Sequence, residues 1–210
     1  MNLFGFLKPD RPAPPAELEI PLFPLKSVLF PGGTLALKVF EQRYLDMSAD
    51  CLKRELPFGV CLILKGEEVG EPATVHRVGT LAQVTQWDME QLGILQLGVR
   101  GGRRFRILES RVEPGGLQRA RVQLLDEPAA VPVPAAQEGL LSMLKQIAAD
   151  LGPARMPEPH GWNDAAWVGY RLSEVMPVQL LAKQKLLELD DPVSRLEILY
   201  RYLAPRGLVR

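Results

Sequence analysis

The sequence of 210 residues contains only two cysteines, Cys51 and Cys61. They lack Cys-x-x-Cys spacing, and the two histidines, His76 and His160, are distant from each other, so we predict no zinc or other metal site. Two isolated cysteines are typical of a reducing compartment, in which thiols stay free. We therefore expect a cytoplasmic location.

Long apolar runs and an excess of one charge are also absent. A membrane-spanning helix needs about 20 mostly apolar residues, and the apolar run at residues 58–64 is far shorter. The apolar residues 3–7 are too few for the core of a signal peptide, and no basic segment precedes them. Lysine and arginine total 25, as do aspartate and glutamate. We therefore expect no membrane association, and the charge balance disfavours nucleic acid.

No complete catalytic or nucleotide-binding motif is present. Residues 32–38 come closest to a phosphate-binding loop, but Leu37 stands where glycine must precede the lysine, and Val39 where a hydroxyl must reach magnesium. Ser142 and Lys145 have the Ser-x-x-Lys spacing of some acyl enzymes, without the other motifs of those enzymes. We therefore predict a protein that is not an enzyme and that uses no cofactor.

Short β-type segments dominate residues 18–125. Apolar or alternating runs predict strands at residues 19–24, 34–39, 58–64, 78–87, 94–100, 105–112 and 117–125. Over residues 41–55 the apolar positions recur at helical spacing, which predicts one helix. The pairs Gly101-Gly102 and Gly115-Gly116 predict turns. About seven short strands with one helix favour a closed or nearly closed barrel over a parallel α/β sheet.

The composition changes at residues 126–136, where three prolines predict a stiff linker. Residues 137–210 carry apolar stripes at helical spacing, which predict a helical bundle. Asn163 or Asp164, and also Asp191, are predicted helix N-caps. Trp167 is expected to anchor the bundle, and the proline-rich residues 1–17 to form a flexible tail.

Several motifs follow one another in a fixed order along the chain. They are IPLFPL at residues 20–25, VLFPG at 28–32, LALKVFEQRY at 35–44, FGV at 58–60, GEEVG at 66–70, VGTLA at 78–82 and GVRGGRRF at 98–105. As an ordered set, they resemble the substrate-recognition domain at the front of Lon-type ATP-dependent proteases. The segments YRL at 170–172 and KQKLLEL at 183–189 are similar to the bundle that follows the barrel in this family.

The resemblance implies an α+β fold, with an N-terminal PUA-like β pseudo-barrel that has one inserted helix and a C-terminal helical bundle. It also implies a stand-alone, non-catalytic module that holds unfolded or degron-bearing polypeptides. Such a module would serve protein quality control as an adaptor or regulator of ATP-dependent proteolysis, with a protease complex as a further partner. The ATPase and Ser/Lys protease domains of a full Lon protease have no counterpart in these residues.

A peptide-binding module should leave apolar side chains uncovered. Phe30, Phe40 and Trp87 are candidates for such a peptide-binding surface, although each also suits a core position. Arg43 beside Tyr44 is a second candidate, because arginine next to an aromatic ring suits peptide carboxylates and backbone. The competing interpretation gives Arg43 a local pair and Tyr44 a packing role.

One basic cluster stands out, formed by Arg100, Arg103, Arg104 and Arg106. Some PUA-like folds bind RNA, so RNA binding through this region is the alternative function. Strand alternation places Phe105 inward and Arg104 and Arg106 in water, which is typical of a solvated strand. Arg104 is also kept as a candidate contact for bound peptide.

We expect the purified protein to hydrolyse neither ATP nor peptides, because residues 32–38 cannot cradle a phosphate and no nucleophile is assembled. Phosphate release from ATP and cleavage of a fluorogenic peptide library measure the two activities. Turnover that co-elutes with the protein from a sizing column, above that of a mock purification, would refute this expectation.

Overall fold

The structure is a computed structural model that describes residues 17–153 and 155–209. Residues 1–16, nearly all of the expected tail, lie outside this range. The first part of the described chain contains one long helix, α1 (Gln42–Arg54), and seven strands. The strands are β1 (Glu17–Leu25), β2 (Thr34–Val39), β3 (Phe58–Lys65), β4 (Thr74–Val75), β5 (Val78–Gln91), β6 (Ile94–Val112) and β7 (Gln118–Leu124).

The strands close into a barrel because β1 has two partners. It pairs antiparallel with β7 through Glu17–Leu22 and parallel with β3 through Leu22–Leu25. The order β1-β7-β6-β5-β3 therefore returns to β1. The long strand β6 changes partners along its length. Residues 95–100 lie between β5 and β2, residues 105 and 106 lie between β5 and β7, and residues 107–112 pair with β7. The expected β pseudo-barrel with one inserted helix is confirmed.

Helix α1 packs on one end of the barrel. Its buried residues Tyr44, Met47 and Cys51 recur at helical spacing, so they share one face. The ring of Tyr44 lies 4.4 Å from that of Phe23. The helix ends at Glu55, whose φ of 55° is left-handed, as is common just beyond a helix.

The Gly101-Gly102 pair lies inside β6, so the turn predicted there is wrong. A Cβ on Gly101 would lie 2.2 Å from the carbonyl oxygen of Phe30. Glycine is required at this position because another backbone segment crosses closely, and not because the chain reverses. At Gly115 and Gly116 the predicted turn is present, with φ values of 97° and 86°.

The second part of the chain is helical. It contains α2 (Glu138–Leu151), α3 (Ala165–Val175), α4 (Leu180–Glu188) and α5 (Pro192–Leu203), with short 3₁₀ turns before α2 and after α5. Asp164 caps α3 by accepting from Ala166 N at 3.0 Å, and Asp191 caps α5 by accepting from Ser194 N at 2.7 Å. Within the described ranges, no helix has the length and hydropathy needed to cross a membrane.

The helices share a core with one part of the barrel, which also contains two further apolar clusters. Four residues from the barrel part of the chain pack against apolar residues of the helices: Val28, Phe30, Leu62 and Val78. The ring of Phe30 lies 6.0 Å from that of Tyr170 on α3. This packing fixes the helical part against the barrel wall.

Trp167 packs against the helical core from its margin and is not one of its central residues, contrary to the expectation from the sequence. It is only partly buried and packs 4.9 Å from Trp162 and 5.7 Å from His160 at the margin of α3. Tyr170, almost one turn later, takes the central position instead. Both residues belong to the same apolar stripe of α3, so the sequence pattern does not show which of them is more deeply buried.

Replacing Gly101 by alanine should destabilise the protein, because the new methyl group would overlap the Phe30 carbonyl. Such overpacking typically costs about 1–3 kcal/mol of unfolding free energy. Gly102→Ala is the matched control, since its Cβ would meet nothing closer than 3.6 Å. Urea denaturation followed by circular dichroism measures both, and equal midpoints would contradict the close-approach interpretation.

Candidate functional site

A cavity of about 410 Å³ opens on the barrel surface between the end of β1 and β2. We call it the β1–β2 seam. Its lining is mostly apolar, with acidic residues at the rim. It comprises Phe23, Leu25 and Ser27 from β1 and the segment after it, Leu35 to Val39 from β2, then Phe40, Glu41, Tyr44, Glu68 and Val69.

Both strands at the seam carry unpaired backbone edges in the described part of the chain. The β1 ladder to β7 ends at Leu22, so the following residues pair with β3 alone. Strand β2 pairs only with β6. Residues along an antiparallel strand alternate in the direction of their backbone groups, and the Thr34 N–H bonds the Glu174 carboxylate and not β6. Ala36 and Lys38 therefore direct their N–H and C=O groups toward the seam.

The connection between β1 and β2 is held by α3. Arg171 donates to the Pro31 carbonyl at 2.7 Å and pairs with Glu174 at 2.7 Å. Burial raises the pKa of Glu174, although Arg171 and the Thr34 N–H oppose that shift. Burial also lowers the pKa of the Arg171 guanidinium. This charged group fixes where β2 begins, and so it positions one edge of the seam.

Phe40 and Trp87 are the exposed members of the predicted set. Phe40 is 50% exposed and lines the seam. Trp87 is 62% exposed and lines a second cavity of about 390 Å³ on the outer face of β2, β6 and β5. Ala36 lines both cavities. The two aromatic side chains thus lie beside the same short strand.

Tyr44 is a buried residue of the seam lining, whereas Arg43 does not line the seam. The Arg43 guanidinium donates to the carbonyls of Gly116 and Gly70 and to the Glu41 carboxylate, at 3.1, 2.5 and 2.9 Å. It also lies 4.7 Å from the centre of the Tyr44 ring. Tyr44 is buried, and this burial raises its pKa. Local pairing and packing therefore describe both residues.

Phe30 and Arg104 are buried, which corrects their expected place on a binding surface. Phe30 has no exposed area. Arg104 is 3% exposed and donates to the Leu187 carbonyl at 2.8 Å and to Asp190 Oδ1 at 2.9 Å. Alternation along β6 does point Arg104 away from the barrel, but the helical part covers that face. Neither side chain is available to a peptide in this conformation.

The remaining arginines do not form a free basic stripe among the described residues. Arg103 is partly buried and donates to the Leu125 carbonyl at 3.1 Å, whereas Arg106 is exposed. The arginines of the neighbouring face are paired with carboxylates: Arg111 with Glu19, Arg119 with Glu113, and Arg121 with Glu17 and Glu109. Arg111 in turn holds the pKa of Glu19 below its ordinary value. This pairing weakens the case for phosphate binding.

The residues that could suggest chemistry are not assembled. Both cysteines are buried and free. Burial raises the pKa of Cys51 to about 11 and that of Cys61 further still. Ser142 and Lys145 are exposed on α2. Within the described ranges, no group of three or more His, Cys, Asp or Glu residues could hold a metal ion.

Sequence reasoning missed a groove between α4 and α5, which we call the α4–α5 groove. Its volume is about 750 Å³, and nearly all of its lining is apolar. The lining residues are Pro177, Val178, Gln179, Ala182, Lys185, Leu186, Leu189, Ile198, Leu199 and Tyr202. A signal was present, because leucines at positions 180, 181, 186 and 187 cover more than one face of α4.

Comparison with known proteins places this geometry in a family. Residues 19–204 match the ATP-dependent protease La (LON) substrate-binding domain. The chain is 29% identical to a Lon protease of Xanthomonas oryzae pv. oryzae over 93% of its own length and 25% of that protein. It is 33% identical to protein cereblon of Gallus gallus over 51% of its own length and 24% of that protein. The chain thus spans about a quarter of these relatives.

A solved structure supports the same assignment. The Lon N-terminal domain protein from Xanthomonas campestris superposes with a TM-score of 0.75 at 36% identity, over 88% of this chain and 98% of that one. The N-terminal domain of a Mycobacterium avium complex Lon protease, at 18% identity and a TM-score of 0.63, shares the fold. Barrel, inserted helix and helical part are all included in the family match, and the chain therefore belongs to the LON substrate-binding domain family.

Proposed function

We propose that this protein binds extended segments of other polypeptides by strand addition at the β1–β2 seam, without catalysing a reaction. One observation carries the proposal: two unpaired strand edges border a cavity, and the exposed aromatic residue Phe40 lines that cavity. Membership in a substrate-binding family supports a polypeptide as the ligand.

Strand addition supplies both affinity and selectivity. A peptide beside β2 would bond the free backbone groups of Ala36 and Lys38, and it would place alternate side chains on opposite faces. One set would enter the seam near Phe40, and the other would lie on the outer face near Trp87. Apolar side chains suit both surfaces.

This mode of binding favours unfolded clients. Backbone groups inside a folded protein are already paired with one another. Only a segment released from its own secondary structure can offer its N–H and C=O groups to β2. The proposal therefore predicts a preference for unfolded or degron-bearing polypeptides and requires no sequence motif in the client.

Binding at the seam supplies no energy for the release or unfolding of the bound segment. We propose that a protease complex takes over this segment, so that the protein acts as an adaptor or regulator of ATP-dependent proteolysis. We also propose that it acts in the cytoplasm. Support for this role comes from the Lon proteases among its relatives. The absence of a phosphate loop from residues 32–38 also fits a role in which ATP is used elsewhere.

Ala36→Pro should weaken the binding of a fluorescently labelled, unfolded model protein about tenfold. Proline removes one donor on the free edge of β2, and a lost hydrogen bond is worth about 1 kcal/mol before the steric cost of the ring. Ala36→Val is the matched control, because it keeps the N–H. Fluorescence anisotropy gives the affinities, and thermal melts check that both variants fold.

Unchanged affinity in a folded Ala36→Pro variant would overturn strand addition. A second arm varies the ligand: a peptide with alternate N-methylated amides has one edge without donors, so it should lose affinity relative to its unmethylated parent. Equal binding of both peptides would also contradict pairing through the backbone.

Affinity for unfolded polypeptide should change little between low and moderate salt, because apolar contacts and backbone bonds are weakly screened. RNA capture would behave differently, since each neutralised phosphate releases counterions and affinity falls steeply with salt. Titrations of unfolded protein and single-stranded RNA at both salt levels separate the two functions. Tight RNA binding that collapses with salt, and that disappears in an Arg103→Ala/Arg106→Ala variant, would favour the alternative.

A further inference from the structure

The α4–α5 groove is a large uncovered apolar surface that the proposed function does not use. Ile198 on its lining is 50% exposed, and Leu181 on the neighbouring face of α4 is 56% exposed. Polar groups on the lining come from Gln179, Lys185 and the Tyr202 hydroxyl. A concave apolar surface with polar residues beside it is a candidate binding site.

One segment of this chain has the composition to fill the groove. Residues 3–7, Leu-Phe-Gly-Phe-Leu, contain four large apolar side chains in five positions. They are followed by prolines at positions 9, 12, 14 and 15. Prolines favour an extended polyproline II spacer over a helix or sheet strand.

The start of β1 brings this segment within reach of the groove. Glu17 pairs with Gln123, and Gln123 pairs with Arg106 on β6. Two strand spacings therefore separate Glu17 from Arg106, about 10 Å, and Arg104 lies two residues further along, about 7 Å. The Arg104 guanidinium bonds the carbonyl of Leu189, which itself lines the groove. Nine residues, 8–16, can span at most about 28 Å at the polyproline rise of about 3.1 Å per residue, which is enough for this path.

Attachment to the same chain favours this occupant over a free one. A short tether gives an effective concentration in the millimolar range, so even weak apolar contacts suffice. We propose that residues 3–7 of this chain occupy the α4–α5 groove. The proposal concerns a different surface from the β1–β2 seam, and it stands or falls independently of peptide binding there.

A disulfide trap tests the placement in the full chain. Asn2→Cys and Gln179→Cys put one thiol beside residues 3–7 and one on the groove. Cys51 and Cys61 are buried with raised pKa values, so they compete poorly for the oxidant. Mild oxidation should give an intrachain cross-link at a rate that does not change on dilution, and non-reducing electrophoresis detects it.

Two further variants of the double-cysteine protein serve as matched controls, because each weakens the contact between residues 3–7 and the groove. Phe4→Ser/Phe6→Ser removes apolar side chains outside the described residues and leaves the groove intact. Ile198→Glu places a charge in the groove at a half-exposed position. Each should slow the cross-link about tenfold or more, since each removes apolar contact between residues 3–7 and the groove.

Three outcomes would overturn the proposal. No intrachain cross-link would place residues 3–7 elsewhere. A rate that neither control variant changes would mean that the thiols meet by tether diffusion alone. Interchain dimers that form in place of the intrachain product, and that fall with dilution, would identify a second copy of the chain as the occupant.

Discussion

Two buried arginines meet at the end of α4, and one of them, Arg104, joins the helical part of the protein to its barrel. Arg104 from β6 and Arg195 from α5 both donate to the backbone carbonyls where α4 ends. Those carbonyls have no partner within the helix and carry the negative end of its dipole, so they suit a cation. Arg195 is fully buried, its guanidinium lies 4.1 Å from the centre of the Tyr170 ring, and burial lowers its pKa. Loss of either arginine would leave carbonyls without donors inside the molecule.

This arrangement makes the barrel and the helices one structural unit. The proline-rich connection does not separate them, because the Val131 carbonyl accepts from Ala165 N at 2.8 Å and Leu125 N donates to the Arg104 carbonyl at 2.9 Å. Phe30, from the barrel side, packs into the apolar core of the helices. The groove belongs to the core that the helices share with part of the barrel, whereas the seam is lined by residues of a separate cluster inside the barrel.

Much of the fold could be predicted from the sequence, because local pattern and local structure agree. The strands, helix α1 and the two aspartate caps follow from alternation, periodicity and capping chemistry. The errors share one cause. Alternation shows that Arg104 leaves the barrel, but not that α4 covers it there. In the same way, nothing local to Gly101 reveals that the Phe30 carbonyl crosses it.

The pairing of β1 with both β3 and β7 has a consequence for how the chain is made. The parallel ladder to β3 joins residues about 40 positions apart in the sequence. The ladder to β7 joins residues much further apart, such as Glu17 and Gln123. Contacts of such separation slow folding, because a long loop must close first. The barrel can therefore close only after β7 has been synthesised. Likewise, Phe30 becomes buried only after α3 has been synthesised. Until then the nascent chain exposes apolar, unpaired strands of the kind that we propose the β1–β2 seam binds.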